Sequence, residues 1–332
     1  MPSGNPWKAL VNKSPFFEWI DYSLRGSGQV IYMDNPLTGL LNFVALGWGA
    51  YAEGDPAVVW GSIYATFLGT AVCYAIPGLN RGNLKAGLYG FNGMLLGAGF
   101  FTFLGSTPLN WLLLTFISVL VVFVTLTAGA FFGKYRVAAY TFPFSLTLWI
   151  TFAAAWRFAH VSITGLGHPT LVPHVTTLAP HVWTATDILY GALNGVSEVY
   201  FVTNPIAGVI FLLALVVESR WNTWMTFAGG FIAVLVAMLM GVDSQFIING
   251  MMGYSPALVA GAVGCIFLKP TYKSVIYMVL AIITSVFVQA AAYSFFGTFG
   301  LPTFTFPFQF TTWLFLIGIH TLADKDVESA IG

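Results

Sequence analysis

Charge is scarce in this sequence. Lys, Arg, Asp and Glu together make up 7% of its 332 residues, whereas an ordinary soluble domain contains roughly 25%. A chain with so few charged side chains cannot cover its own surface with them, so its composition suits a lipid bilayer better than a soluble fold. The formal net charge is zero, which argues against attraction to nucleic acid. We therefore predict no nucleic-acid partner.

Cysteine and histidine are also few. Cys73 and Cys265 lie inside apolar runs, where cysteine is typical of a small core residue rather than of a disulfide or metal pair. Most of the histidines fall in one polar segment, and their spacing resembles no metal site: His160, His168, His174 and His181. Only His320 lies near an apolar run. We predict no metal and no cofactor.

Long apolar runs are what the sequence has instead. They are typical of helices that cross a lipid bilayer. The start, Met1 to Pro15, is polar and has no apolar core, so we predict no cleaved signal peptide. Division at Gly, Pro and charge clusters gives ten candidate spans: 37–52, 57–77, 88–106, 110–132, 140–158, 199–217, 222–241, 250–268, 274–294 and 307–322.

The basic residues test this count, because Lys and Arg collect in cytoplasmic loops. Ten alternating spans with a cytoplasmic start put every Lys and Arg except Arg157 on the inside. Glu53, Asp55, Asp187 and Asp243 fall on the other side. This pattern predicts ten spans with both termini in the cytoplasm.

Three landmarks recur in the same order in the two parts of the chain. They are Asn35-Pro36 and Asn204-Pro205, then Gly90-Phe91-Asn92 and Gly253-Tyr254-Ser255, then Thr141-Phe142-Pro143 and Thr305-Phe306-Pro307. Since each copy holds an odd number of spans, the second must enter the membrane from the opposite side, as in channels and transporters.

The predicted fold class is therefore an all-α polytopic membrane protein. It is built from two inverted five-helix repeats, with short re-entrant or tilted pore helices in addition. The predicted domains are a first membrane repeat at 1–158, an inter-repeat linker with some short helix at 159–196, and a second membrane repeat at 197–332.

The Thr-Phe-Pro-Phe segments predict polar backbone at membrane depth. A proline within a helix frees the carbonyl four residues earlier, here that of Ala139 or Thr303. Freed carbonyls are tolerated in a membrane where protein or a water-filled path satisfies them. We therefore expect Thr141 and Thr305 beside a pore; a packed proline kink is the alternative. The Asn-Pro segments can be read as pore elements or simply as helix starts.

Glu198 is an ionisable group close to a predicted membrane boundary, and its repeat partner is Gln29. Such a group is a candidate for function, although a boundary carboxylate that reaches water is an alternative. Both side chains accept hydrogen bonds from an NH₂ group. This pair favours a small neutral amide over an ion as the permeant.

The chain resembles the urea transporter family. The resemblance is carried by Leu301-Pro302-Thr303-Phe304-Thr305-Phe306-Pro307-Phe308, which has the family's Leu-Pro-x-x-Thr-x-Pro-Phe signature, and by the Asn-Pro and Gly-Phe-Asn-Gly segments. The first half has a partial signature, because Val137 and Ala138 stand in place of Leu-Pro. The family usually has Phe at the two aromatic landmark positions, so Tyr254 is a departure.

This resemblance implies passive, channel-like permeation of urea through a pore between the repeats of each subunit. It also implies a homotrimer in a lipid bilayer, here the bacterial inner membrane. Gln29 and Glu198 would face an outer urea site, Phe91 and Tyr254 would form an aromatic slot around it, and Leu95 and Leu258 would line the same path. Thr141 and Thr305 would stand at the narrow middle.

Other classes fit the sequence less well. An aquaporin needs Asn-Pro-Ala with an Arg at the constriction, whereas the triplets here are Asn-Pro-Leu and Asn-Pro-Ile. An ammonium channel needs pore histidines. An intramembrane enzyme needs paired carboxylates, a nucleophile with a base, or a metal cluster in the spans, so we predict no enzyme. A channel for another small neutral solute, such as ammonia, water or glycerol, remains the alternative, followed by a membrane assembly protein without transport.

Overall fold

The computed structural model describes residues 6–172 and 177–320. His174 and Lys325 lie outside these residues, as do the side chain of His320 and the end of the last predicted span. The α-helices are α1 (Pro6–Val11), α2 (Pro15–Gln29), α3 (Pro36–Ala52), α4 (Ala57–Ala75), α5 (Arg81–Lys85), α6 (Asn92–Phe103), α7 (Pro108–Gly133), α8 (Phe142–Ala155), α9 (Ala185–Ser197), α10 (Pro205–Val216), α11 (Arg220–Met240), α12 (Ser244–Ile248), α13 (Tyr254–Gly261), α14 (Tyr272–Gly297) and α15 (Phe306–His320). A 3₁₀ turn, Glu198–Tyr200, extends α9, and a π-helical turn, Ala262–Ile266, extends α13.

Each predicted span overlaps one of these helices, and the all-helical prediction is confirmed for the described residues. Four of the helices, α4, α7, α11 and α14, are long and apolar enough to cross a bilayer. α9 with its 3₁₀ turn forms a pair with α10, bent by 72°, that passes the same test as one unit. Three shorter helices, α8, α15 and α13 with its π turn, are also apolar. The count of ten spans stays a prediction.

The two Asn-Pro segments are helix starts. The Asn35 side chain accepts a hydrogen bond from the Leu37 N–H at 2.9 Å, and Asn204 accepts from the N–H groups of Ile206 and Ala207, each at 3.0 Å. These bonds satisfy N–H groups that have no partner within the helix. The proline that follows each Asn occupies the first turn, where a missing N–H costs nothing.

The predicted spans 88–106 and 250–268 begin too early. Gly87 and Gly250 adopt φ values of +76° and +80°, a left-handed conformation that favours glycine. A Cβ atom there would lie 2.2 Å from the α2 backbone at Gly87 and 2.3 Å from the α9 backbone at Gly250. The chain therefore turns against α2 and α9 before α6 and α13 begin.

Two long helices were absent from the predicted spans. α2 precedes the first predicted span, and α9 occupies the end of the stretch at 159–196 that was assigned to a linker with some short helix, running one residue past it. α2 packs against α3, and α9 packs against α10 and α11. Buried Asp21, Ser23 and Ser27 occupy α2, which explains why its sequence does not read as an apolar run. Both helices belong to the packed core of the protein.

Glycines bring these helices close to their neighbours. A Cβ on Gly39 in α3 would lie 1.7 Å from the carbonyl oxygen of Leu24 in α2, and a Cβ on Gly208 in α10 would lie 2.2 Å from that of Leu193 in α9. Such close approach requires a residue without a side chain. A close backbone contact at a glycine therefore holds α2 against α3 and, in the same way, α9 against α10.

We expect Gly39→Ala to lower the free energy of unfolding by about 1–3 kcal/mol, because the new methyl group overlaps a backbone oxygen. Thermal unfolding of the purified protein in detergent measures this effect. Gly133→Ala is the matched control, since an added Cβ at Gly133 meets nothing within 4 Å. Equal midpoints for the two variants would contradict the close-packing argument.

Backbone features are matched between the two halves of the chain. Tyr32 and Phe201 adopt φ values of +67° and +64°, and Tyr140 and Phe304 both adopt +49°. The order of helices from α2 to α8 also matches the order from α9 to α15 in length pattern, with a short helix in fourth place each time. These matches agree with the sequence landmarks; inversion of one half in the membrane stays a prediction.

Candidate functional site

Two cavities contain most of the predicted site residues. The first, about 460 Å³ and called the Gln29 cavity, is lined by Gln29, Val30, Tyr32, Asn83, Leu88, Tyr89, Phe91, Thr125, Gly129, Ala138, Ala139, Tyr140, Thr141, Ile266, Phe267 and Phe308. The second, about 380 Å³ and called the Glu198 cavity, is lined by Glu53, Thr102, Phe103, Glu198, Phe201, Thr203, Met251, Tyr254, Tyr293, Pro302, Thr303, Phe304 and Thr305.

Thr141 and Thr305 lie where the two cavities approach each other. Their hydroxyl oxygens are 2.7 Å apart, a hydrogen-bond distance, and each threonine lines a different cavity. Both side chains are 2% exposed. These two residues, called the threonine pair below, thus form a small polar point between two cavities whose walls each include several aromatic side chains.

The prolines that follow the threonine pair do not break a helix in its middle, so this prediction was wrong. Pro143 and Pro307 lie in the first turns of α8 and α15. The carbonyl of Ala139 accepts a hydrogen bond from the Phe142 N–H at 3.1 Å, and that of Thr303 accepts from the Phe306 N–H at 3.2 Å. A proline in a first turn has no carbonyl four residues earlier within the helix to release.

Glu198 stands at the bend between α9 and α10. The Thr203 hydroxyl donates a hydrogen bond to its carboxylate, and the Thr203 N–H donates to the carboxylate of Glu53 at 2.5 Å. One threonine therefore holds both carboxylates of the Glu198 cavity. Glu198 itself is half-buried and keeps part of its carboxylate free to accept further hydrogen bonds.

Gln29, the counterpart of Glu198, is the last residue of α2. Its side-chain amide donates a hydrogen bond from Nε2 to the Ala86 carbonyl at 2.9 Å. This bond fixes the amide and leaves its oxygen as an acceptor at the cavity wall.

The expectation that Gln29 and Glu198 face one outer site was wrong, because the structure gives each of them a cavity of its own. Phe91 lines the Gln29 cavity and Tyr254 lines the Glu198 cavity, so these two residues do not form one slot. Each cavity therefore holds one hydrogen-bond acceptor of this pair, one landmark aromatic residue and one member of the threonine pair.

Leu95 and Leu258 line neither of the two cavities. They are 0% and 1% exposed and belong to the hydrophobic core. Leu258 contributes a backbone group instead, since its carbonyl accepts a hydrogen bond from the Tyr32 hydroxyl at 3.1 Å. Their role as lining side chains stays a prediction.

Four aromatic residues that the sequence did not single out line the cavities in strained conformations. Tyr32 and Tyr140 lie in the Gln29 cavity, and Phe201 and Phe304 lie in the Glu198 cavity. All have positive φ, which costs about 1–3 kcal/mol for a residue other than glycine. Tyr32 and Phe201 each follow the paired Gln29 and Glu198 by three positions, and this equal spacing was the available signal.

Tyr254 belongs to a hydroxyl network that Phe91 cannot form. Its hydroxyl lies 2.7 Å from the Thr303 hydroxyl and 3.3 Å from that of Tyr293, and it accepts a hydrogen bond from Gln289 at 2.6 Å. The departure from Phe therefore gives the wall of the Glu198 cavity a hydroxyl group that Phe91 does not give the Gln29 cavity.

Gln309 is a further residue that sequence reasoning missed. Its Nε2 atom lies 3.0 Å from the hydroxyl oxygens of Thr141, Thr305 and Ser145. A single glutamine in an apolar helix, without a repeated partner, gave no signal in the sequence. It nevertheless contacts both members of the threonine pair.

Apolar helices and two cavities that meet at buried hydroxyls are features of a membrane transport protein. The cavity walls offer hydrogen-bond acceptors and aromatic faces to a small solute. The polar side chains in the two linings are hydroxyls, amides and the carboxylates of Glu53 and Glu198.

Comparison with known proteins identifies the family. The model of the urea transporter family matches residues 20–320, so the chain belongs to the urea transporter family. It is 25% identical over 318 residues to urea transporter 1 of Ovis aries and of Capra hircus, an alignment that covers 93% of this chain and 79% of each relative. Urea transporter 1 of Rattus norvegicus is 24% identical over 319 residues. The predictions of the family and of a transport protein rather than an enzyme are confirmed.

Proposed function

We propose that the chain forms a passive channel for urea that leads from the Glu198 cavity, past the threonine pair, to the Gln29 cavity. The contact of 2.7 Å between Thr141 and Thr305 carries this proposal, because it joins the two cavities at one polar point. Solute moves down its own gradient without a coupled ion.

The chemistry of the cavities suits urea. Urea is flat and neutral, with N–H donors at its edge and one carbonyl acceptor. Aromatic walls admit a flat molecule and give a hydrated ion nothing in exchange for its water. Glu198 and Gln29 accept from N–H groups, and the threonine hydroxyls can both donate and accept. Weak sites in series replace the hydration shell step by step, which permits exit as well as entry.

We also propose the membrane topology predicted from the charges, with ten spans in two inverted repeats and both termini in the cytoplasm. Asn83, between Arg81 and Lys85, lines the Gln29 cavity, and Glu53 lines the Glu198 cavity. Basic residues favour the cytoplasmic side. On this topology the Gln29 cavity opens to the cytoplasm and the Glu198 cavity opens outward, in a bacterial inner membrane.

A homotrimer with a separate path in each subunit completes the proposal. Both cavities and the threonine pair are made by one chain, so a subunit needs no partner to complete its path. Native mass spectrometry of the detergent-solubilised protein should give the mass of a complex of three subunits. The mass of a monomer under gentle release conditions would contradict the homotrimer but not the urea channel.

Stopped-flow urea efflux from proteoliposomes tests the function. We expect efflux well above that of protein-free liposomes, with little change in glycerol permeability. Glycerol and water controls separate a urea channel from a channel for another small neutral solute. Urea efflux equal to that of protein-free liposomes would overturn the proposal.

A further inference from the structure

Gln309 is buried at the junction of the two cavities. It lies on α15, four residues after Thr305, and is 0% exposed. Its Nε2 atom is 3.0 Å from each hydroxyl oxygen of the threonine pair and from that of Ser145. The side chain touches the point through which solute passes, although it lines neither cavity.

The other end of this amide has no partner. Gln309 Oε1 is among the buried polar atoms without a hydrogen bond in the described part of the chain. A buried unpaired carbonyl is costly and calls for an explanation. Ser145 is the counterpart of Gln309 in the first half, at the offset that pairs Thr141 with Thr305. The long amide is therefore an asymmetric addition to an otherwise matched centre.

The amide changes what the threonine pair can offer to a solute. Each hydroxyl has one hydrogen and two lone pairs. The bond between Thr141 and Thr305 uses one hydrogen and one lone pair. Nε2 of Gln309 has two hydrogens for the three hydroxyl oxygens around it, and when both are donated to the threonine pair they occupy one lone pair on each hydroxyl. One O–H hydrogen then remains, and it must point away from Gln309.

Other threonine hydroxyls on α8 donate hydrogen bonds to backbone carbonyls of their own helix. Thr147 donates to the Pro143 carbonyl and Thr151 to the Thr147 carbonyl, both at 2.8 Å. Such bonds to the helix's own backbone remove the O–H donor from any passing molecule. Thr141 and Thr305 directly precede α8 and α15, so neither hydroxyl has a helical carbonyl four residues earlier to which it could donate, and both stay available to each other and to Gln309.

We propose that Gln309 is a positioning residue that sets solute specificity: it orients the threonine pair so that one O–H group is offered to the carbonyl oxygen of the solute. The channel then favours small neutral solutes that carry a strong hydrogen-bond acceptor. This inference rests on the proposed urea channel function and adds a determinant of its selectivity.

Urea and thiourea form a suitable pair of probes, since they have the same N–H donors and differ in that sulfur is a weaker acceptor than oxygen. In Gln309→Met, a variant of similar size, we expect urea flux to fall roughly threefold to tenfold, the effect of one neutral hydrogen bond. Thiourea flux should change by less than about twofold on the same grounds. Where thiourea flux is below detection, its competition against urea flux provides the second measurement.

The ratio of the two solutes is measured in the same vesicles, so it does not depend on how much protein is active. Thr312→Val, on the same helix and in neither cavity lining, is the control and should leave the ratio unchanged. In a Thr141→Val background, Gln309→Met should have a smaller effect on urea than in the wild type.

Two results would overturn the inference: an equal change for urea and thiourea, or no change for either. Both leave the proposed function standing as long as the wild-type protein passes urea. Absence of urea flux in the wild-type protein would instead refute the proposed function itself.

Discussion

Glu198→Ala should remove most urea flux, and Glu198→Gln should retain part of it. The Glu198 carboxyl group is the half-buried acceptor of its cavity, and its removal leaves an N–H group of the solute without a partner, which costs about 1–3 kcal/mol. We expect Glu198→Ala to lower urea flux roughly 10-fold to 100-fold, and Glu198→Gln only a few-fold, since the amide oxygen still accepts. Gln29 already performs that role in the other cavity.

Stopped-flow urea efflux from proteoliposomes with matched protein content measures these effects. Glu218→Ala is the control, because Glu218 lies just beyond α10 and lines neither cavity. Equal flux in the wild type, Glu198→Gln and Glu198→Ala would refute the role of this carboxylate.

Simultaneous Thr141→Val and Thr305→Val should have the other large effect. Valine is close to threonine in shape but lacks the hydroxyl, so the two side chains between the cavities become apolar with little change in size. A solute that has shed its water would then pass with unpaired polar groups, each of which costs about 1–3 kcal/mol. We expect urea flux to fall by roughly 10-fold to 100-fold, since 1.4 kcal/mol corresponds to a factor of ten.

The chain offers a matched control for this variant. Thr147 and Thr311 are a second pair of counterparts on α8 and α15, and both are buried outside the two cavity linings. Thr147→Val with Thr311→Val makes the same chemical change in the same two helices. A similar loss of flux in both double variants would mean that helix packing, and not the loss of hydroxyls from the threonine pair, is responsible.

Much of the fold could be predicted from hydrophobicity, and the exceptions have a physical cause. Apolar runs reveal helices such as α7 and α14, whose surfaces are largely exposed to lipid on the proposed topology. α2 and α9 were missed because protein surrounds their polar residues. Close contacts at Gly39 and Gly208 hold these helices in place, and a hydropathy pattern does not record contacts between distant segments.

The residues of the candidate site that could be proposed from the sequence are those with a counterpart in the other half of the chain. Thr141 and Thr305 were found as counterparts, and the structure brings their hydroxyls together across the two halves. The assignment of Gln29 and Glu198 to one site does not agree with the structure, in which they line separate cavities; the proposed inversion of one half accounts for this separation. Gln309 has Ser145 as its counterpart, so comparison of the repeats could not reveal it.

The hydrogen bonds around the threonine pair decide which groups could conduct protons between the two cavities. Proton conduction along a chain of hydrogen bonds requires every member to receive a proton on one side and release one on the other. The Gln309 nitrogen, which donates to both hydroxyls, is an amide and is not basic enough to do this. On the proposed path, the Gln309 amide therefore takes no part in a proton relay, and only the two hydroxyls of the threonine pair could carry one.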